Sequence, residues 1–222
     1  AYFSVYSEKY NLNKKVVYFS KSMPIKSVAA YGLFTKNLNN SKPSQIIFDF
    51  TKLDNVDDWV EQSDPVREVG MSKAVLSLQK TRVFQRAIFF ALLNPQPNGA
   101  GFAGVRKLEY FGDLHDYDEL QISCRSQGEF NGFKVVLRHR GLNDEPNYTY
   151  EQMFDGPKDS FKVVRLPFED FKPYFRGRLV NTTEKLDTSN ITGFGFQFYG
   201  GVYMPVKQSG PATLEIDWVK AA

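Results

Sequence analysis

The sequence predicts an all-β protein, an antiparallel β-sandwich of jelly-roll type preceded by an N-terminal extension. Three observations carry this. Aromatic residues make up 15% of the chain, with 20 Phe and 12 Tyr, and aromatic enrichment favours strands over helices. About ten short stretches alternate apolar and polar residues and are separated by turn signals at regular spacing. Long helical patterns are missing. At 222 residues, a sandwich of this kind is commonly one large domain.

Charge divides the chain. Residues 1–45 hold seven Lys, no Arg and one acidic residue, Glu8, and so carry +6. The whole chain carries +3, which leaves residues 46–222 at −3. Residues 1–45 are therefore set apart as a basic arm, irregular or partly helical, and residues 46–222 as the sandwich domain. Lys with interleaved aromatics suits an anionic interface, so Lys14 and Lys15 are candidate contacts to a partner or to anionic lipid. A net charge of +3 does not argue for nucleic acid. Cys124 is the single cysteine. It allows no intrachain disulfide and favours a reducing compartment. No apolar run reaches the roughly 18 residues of a membrane-spanning helix.

Each strand is justified in order. Ser41-Lys42-Pro43-Ser44 reads as a linker. In Ile46 to Phe50, residues Ile46, Phe48 and Phe50 fall on one face. Asp54 to Trp59 is a turn, and Lys73 to Gln79 a strand. In Arg82 to Leu93, Phe84, Ile88 and Phe90 share a face. Asn94-Pro95-Gln96-Pro97-Asn98-Gly99 is a strong turn, followed by a strand from Gly101 to Tyr110. Leu120, Ile122 and Cys124 alternate with polar residues, as do Phe133, Val135 and Leu137. Tyr148, Tyr150 and Gln152 form another such run. Phe161 to Arg178 then holds a strand, a stop at Pro167, Phe168 and Phe171 at the spacing of a 3₁₀ turn, and a basic tip. Phe161, Val163, Phe168 and Phe171 are expected to build the core. Phe194, Phe196 and Phe198 share a face, with Gly193 and Gly195 opposite. Leu214, Ile216 and Trp218 point inward on the last strand, whose apolar face matches that of the first, so the two are expected to pair.

Few motifs carry chemistry. Gly99 to Gly104 matches GxGxxG, but prolines precede it and an extended segment follows. A tight turn with close strand packing fits better than a nucleotide site. His115, His139 and Cys124 lie on separate elements, and Cys124 reads as a buried, inert thiol. Asp54, Asp57 and Asp58, and Asp113, Asp116, Asp118 and Glu119, are loop acids without a hydrolase or EF-hand signature. No catalytic residue, cofactor or metal is implied. Four N-x-S/T sequons, at Asn39, Asn147, Asn181 and Asn190, point toward secretion, against the absence of disulfides. Arg165, Lys172, Arg176 and Arg178 form either a solvated face or an anion or partner contact; Lys172, Arg176 and Arg178 are the candidate site residues of the domain.

In order along the chain come Phe48-Asp49-Phe50, Trp59, Ser63-Asp64, Gly70-Met71-Ser72 and Gly101-Phe102-Ala103-Gly104-Val105-Arg106. Leu114 to Leu120 and Leu166-Pro167-Phe168-Glu169-Asp170-Phe171 follow, then Arg176-Gly177-Arg178 and Leu186-Asp187. Ile191-Thr192-Gly193-Phe194 and Leu214-Glu215-Ile216-Asp217 complete the set. This ordered set resembles the complex I intermediate-associated protein 30 family over about residues 46–220. The resemblance implies a galactose-binding-like jelly roll related to carbohydrate-binding modules. It also implies a non-catalytic assembly factor for mitochondrial respiratory complex I, in the matrix and peripheral to the inner membrane. The implied partners are membrane-arm subunits and other assembly factors. One departure stands out: where the family has a Gly-Gly-x-Ser turn, this chain has Val69-Gly70-Met71-Ser72. The alternative reading of the residues is an extracellular or luminal carbohydrate-binding module, with Tyr148, Tyr150, Tyr199 and Tyr203 as candidate platforms.

Overall fold

The structure is a computed structural model and describes residues 43–64 and 72–222. The expectations for Lys14, Lys15, Asn39 and the turn at residues 69–71 lie outside the described residues. Two antiparallel sheets face each other. The first contains β1 (Gln45–Asp49), β3 (Lys73–Lys80), β4 (Gln85–Leu93), β6 (Glu119–Gly128), β9 (Lys162–Pro167) and β13 (Gly210–Ala221). Its order is β3-β4-β13-β6-β9, with β1 also on β13. The second contains β2 (Val60–Glu61), β5 (Phe102–Leu108), β7 (Gly132–His139), β8 (Thr149–Asp155), β10 (Lys172–Phe175), β11 (Arg178–Leu179) and β12 (Ile191–Tyr199). Its order is β11-β10-β8-β7-β12-β5-β2. The first and last strands do pair. β13 meets β4 along Gly210–Ile216 and β1 along Trp218–Ala221, with β6 on its other side.

The core lies between the sheets and is largely aromatic. Phe194, Phe196 and Phe198 of β12 face inward with Phe133, Val135 and Leu137 of β7, as the alternation predicts. Across from them stand Phe89 of β4 and Leu120, Ile122 and Cys124 of β6. Trp59 closes one end, stacked on Phe196 at 5.8 Å between ring centroids and tilted against Phe48 at 5.1 Å. Burial pushes the Cys124 thiol up to about 12, so it stays protonated and inert, as expected. In the glycine-rich segment, Gly99 makes a turn with φ of 84°. A Cβ on Gly104 would come within 2.4 Å of Gln197 Cγ, so the motif serves packing.

Three facings differ from the expected ones, on β1, β13 and β9; on β4 Phe84, Ile88 and Phe90 do share a face, and it is the outer one. Register shifts near Ile47 and Asp217 each place an extra residue between paired positions, and an extra residue reverses the parity of a strand. Ile46 is therefore 52% exposed while Phe48 is buried, and beyond Ile216 the inward residues are Val219 and Ala221 rather than Trp218. On β4 the smaller set faces inward: Ala87, Phe89, Ala91 and Leu93 are buried while Phe84 and Phe90 are exposed. On β9, Val164 pairs with Ile122 and Leu166 with Leu120. Cross-strand partners share a face, so the even positions turn inward and Val163 is 44% exposed. Phe161 lies outside the core, under the guanidinium groups of Arg86 and Arg125 at 4.2 and 5.4 Å. The expected 3₁₀ turn is present at Phe168–Asp170, with Phe168 and Phe171 buried.

Candidate functional site: a cleft on the seven-stranded sheet

Alternation on the central strands of the second sheet sends one set of residues to the core and the other to its outer face. The outer set is Lys134 and Arg138 on β7, Thr149, Glu151 and Met153 on β8, and Gln197 and Tyr199 on β12. With Gln62 and Asp64 they floor a cleft of about 570 Å³. Tyr174, Phe175 and Arg176 form one wall, and residues 99–102 and 201–204 the other. The first wall is a hairpin joining β10 and β11 through Arg176 and Gly177, both at positive φ (48° and 76°). That geometry is a type I′ turn, which suits the right-handed twist of the strands and favours Gly at its second position.

The cations in the cleft are matched internally, whereas the Asp64 carboxylate has no partner among the described residues. Lys134 Nζ lies 2.5 Å from Glu151 Oε2, both side chains buried. Thr149 Oγ1 also donates to Glu151 at 2.8 Å. Arg138 Nη1 donates to the carbonyls of Leu142 and Asn147; burial, then the neighbouring Arg106, lowers its pKa. At the rim Arg176 pairs with Glu145. Arg178 Nε donates to the Tyr203 hydroxyl at 2.9 Å, tying the hairpin to the opposite wall. Burial raises the pKa values of Tyr174 and Tyr199, with Glu151 and Asp155 respectively adding to the rise, so both phenols are neutral.

The basic residues read as one tip are dispersed. Arg176 lines the cleft, and Arg178 reaches it through Tyr203. Lys172 donates to the carbonyl of Glu169. Arg165 sits on β9 of the other sheet and pairs with Glu119. Of the four candidate tyrosines, Tyr199 and Tyr203 line the cleft, whereas Tyr150 is buried near His139 and Tyr148 bonds to Glu184. Sequence reasoning missed Lys134, Glu151 and Gln197. The available signal was their position: they are polar residues on the outward parity of strands whose inward parity is Phe, Val, Leu and Tyr.

His139 anchors the loop beside β7. Its Nδ1 accepts a 2.8 Å bond from the Asp187 amide, and its Nε2 lies 3.7 Å from Glu184 Oε1. Burial, then Arg140, lowers its pKa from 6.5, outweighing the opposing pull of Glu184 and Asp187. A lowered histidine pKa means that the unfolded chain binds more protons below pH 6.5. Stability therefore falls as pH drops from 6.5 through the folded-state pKa. Denaturant melts across this window are expected to show that slope in the natural chain and to lose it in His139→Gln. An unchanged slope in the variant counts against His139 as its source.

Two facing antiparallel sheets with a cleft across one outer surface define a jelly-roll sandwich of the carbohydrate-binding-module type. The chain belongs to the complex I intermediate-associated protein 30 family, whose profile matches residues 48–216. Complex I intermediate-associated protein 30, mitochondrial, of Drosophila melanogaster is 24% identical over 195 residues. The alignment covers 79% of this chain but 62% of that relative's length. Among solved structures, the fold matches a family 11 carbohydrate-binding module from Clostridium thermocellum, solved in complex with a β-1,3-1,4-mixed-linked tetrasaccharide. The TM-score is 0.57 at 16% identity, covering 80% of this chain and 94% of that one. The family 11 module of the cellulosomal cellulase Lic26A-Cel5E from the same organism matches at TM-score 0.56 and 16% identity, covering 81% and 94%.

Proposed function

We propose that this protein is a non-catalytic assembly factor for mitochondrial respiratory complex I, acting in the matrix at the inner membrane and holding a membrane-arm intermediate together with other assembly factors. Family membership over residues 48–216 carries the reading, and the mitochondrial relative named for complex I intermediates supports it. The sandwich acts as a rigid holder. The residues offered to a partner are Arg176 and Arg178 at the cleft rim and Lys172 nearby, with Lys14 and Lys15 of the basic arm reaching a partner or anionic lipid. Arginine suits such a role because its planar fork makes two directed bonds.

Tagged protein purified from mitochondria is expected to bring down complex I membrane-arm subunits; recovery of none sinks the reading. Arg176→Ala combined with Arg178→Ala is expected to leave the melting midpoint unchanged, because exposed ion pairs contribute little to stability, while reducing recovery of those subunits. A large loss of stability in the double variant would make the two arginines internal braces instead.

A further inference from the structure

The cleft contains polar groups that the fold itself leaves unused. Gln197 is 7% exposed, lines the cleft, and its carboxamide bonds to no other described residue. The hydroxyls of Tyr174 and Tyr199, in the same lining, likewise lack a partner among the described residues. None of these polar atoms is sealed from solvent, so each stands open in the cleft to donate to or accept from a ligand. The cationic side chains beside these groups are engaged within the protein: Lys134 with Glu151, Arg176 with Glu145, and Arg138 with two carbonyls. Among the described residues the cleft therefore holds no spare cation to recognise an anion.

The backbone narrows the ligand further. β7 is hydrogen-bonded to β8 and β12, β12 to β5 and β7, and β8 to β7 and β10. β7 and β12, the middle of the floor, have a neighbour on both sides, so a peptide could not add itself to them as a strand. What remains is neutral side-chain donors and acceptors among aromatic residues, together with the Asp64 carboxylate, which can accept from a hydroxyl. Sugar hydroxyls both donate and accept, which matches a carboxamide and two phenols. The C–H faces of sugar rings suit the apolar faces of Tyr and Phe. A volume of about 570 Å³ lies within the range of small-molecule clefts, roughly 300–1,000 Å³.

We infer that the cleft is a binding site for a short, neutral oligosaccharide, held by the Gln197 carboxamide and the Tyr174 and Tyr199 hydroxyls, with Tyr203 at the rim. This is a function separate from complex I assembly and stands on the cleft alone.

The test is calorimetric titration of the full chain with linear, uncharged tetrasaccharides of glucose, galactose and mannose. A heparin-derived tetrasaccharide and an uncharged Ser/Asn-rich peptide form separate arms. At least one neutral tetrasaccharide is expected to bind saturably, with little change between low and high salt, since no net charge is involved. Gln197→Ala and Tyr203→Ala are each expected to weaken binding by about tenfold, the scale of one lost hydrogen bond or contact. Tyr203 is 63% exposed, so its truncation leaves the fold intact and keeps the test decisive even where Gln197→Ala unfolds. The inference is overturned if no neutral tetrasaccharide binds at millimolar concentration, or if binding ignores Tyr203→Ala. Binding confined to the heparin fragment, or to the peptide, overturns it equally. Recovery of complex I subunits is measured independently, so either result can fail without the other.

Discussion

Phe196→Ala is expected to lower the stability of the sandwich by about 3–5 kcal/mol, the usual cost of emptying a phenylalanine site in a core. Phe196 is fully buried, and its ring stacks on Trp59, meets Phe194 edge-on at 5.1 Å and faces Phe89 at 6.2 Å. These neighbours come from β12, β4 and the turn before β2. Little can collapse into the void, because Phe194 and Phe198 are themselves fixed by alternation along the same strand. Val163→Ala is the matched control. Although Val163 reads as a core residue in the sequence, its exposure limits the expected change to about 0.5 kcal/mol. Urea melts of the two variants check both. Equal losses would mean that the facing of β9 is reversed.

Glu215→Ala is expected to cost about as much, 3–5 kcal/mol, by a different route: it breaks a buried charge cluster and strands the partner charges. Glu215 is buried on the outer face of the six-stranded sheet. Its carboxylate accepts from Arg86 Nη1 at 2.8 Å, from Arg125 Nη2 at 2.7 Å and from Gln127. Arg86 is held between the rings of Phe84 and Phe161 at 4.3 and 4.2 Å. Without Glu215 its one remaining acidic partner among the described residues is Asp217, 3.4 Å from its Nε. The double variant Arg86→Met with Glu215→Leu is expected to recover much of the loss, because the charges are removed together. Acid adds a second readout. Burial pushes the Glu215 pKa up, but the bonds from Arg86, Arg125 and Gln127 outweigh it, leaving the group below 4.5. Its contribution is therefore present above pH 4.5 and lost as pH falls through the folded-state value. Asp217, raised above 3.8 chiefly by burial, works in the opposite sense: its contribution falls as pH rises from 3.8 through its folded-state value. Melts below pH 4.5 should thus converge for the natural chain and Glu215→Gln. A gap that persists at low pH would assign the loss to packing.

Legibility in the sequence followed the range of the interactions. Phe194, Phe196 and Phe198 reveal their facing because strict alternation is local. So do Leu120, Ile122 and Cys124, and the turn from Pro167 through Phe171. The facing of Ile46 and Trp218 depends on bulges in β1, against β13 some 170 residues away, and in β13, against β6 some 95 residues away, and neither leaves a local mark. The inward set on β4 depends on the space beneath it. Three short strands, β2, β10 and β11, were not expected; two to four residues are too few to show a period. The cleft was least visible. Its floor draws on β7, β8 and β12 and its walls on loops far apart in sequence. Arg176 and Arg178 stand out for their charge, yet Gln197, buried in the cleft floor, carries none.

The pairing of β13 sets the schedule on which the six-stranded sheet can close. Among the described strands β13 comes last in chain order, yet it sits in the middle, with β4 and β1 on one flank and β6 on the other. As the chain is synthesised or threaded through a channel amino end first, β3 with β4 and β6 with β9 can form only as separate pairs with open edges. Such edges invite pairing with other chains. The interval before residues 210–221 arrive is therefore when this protein itself most needs protection from aggregation.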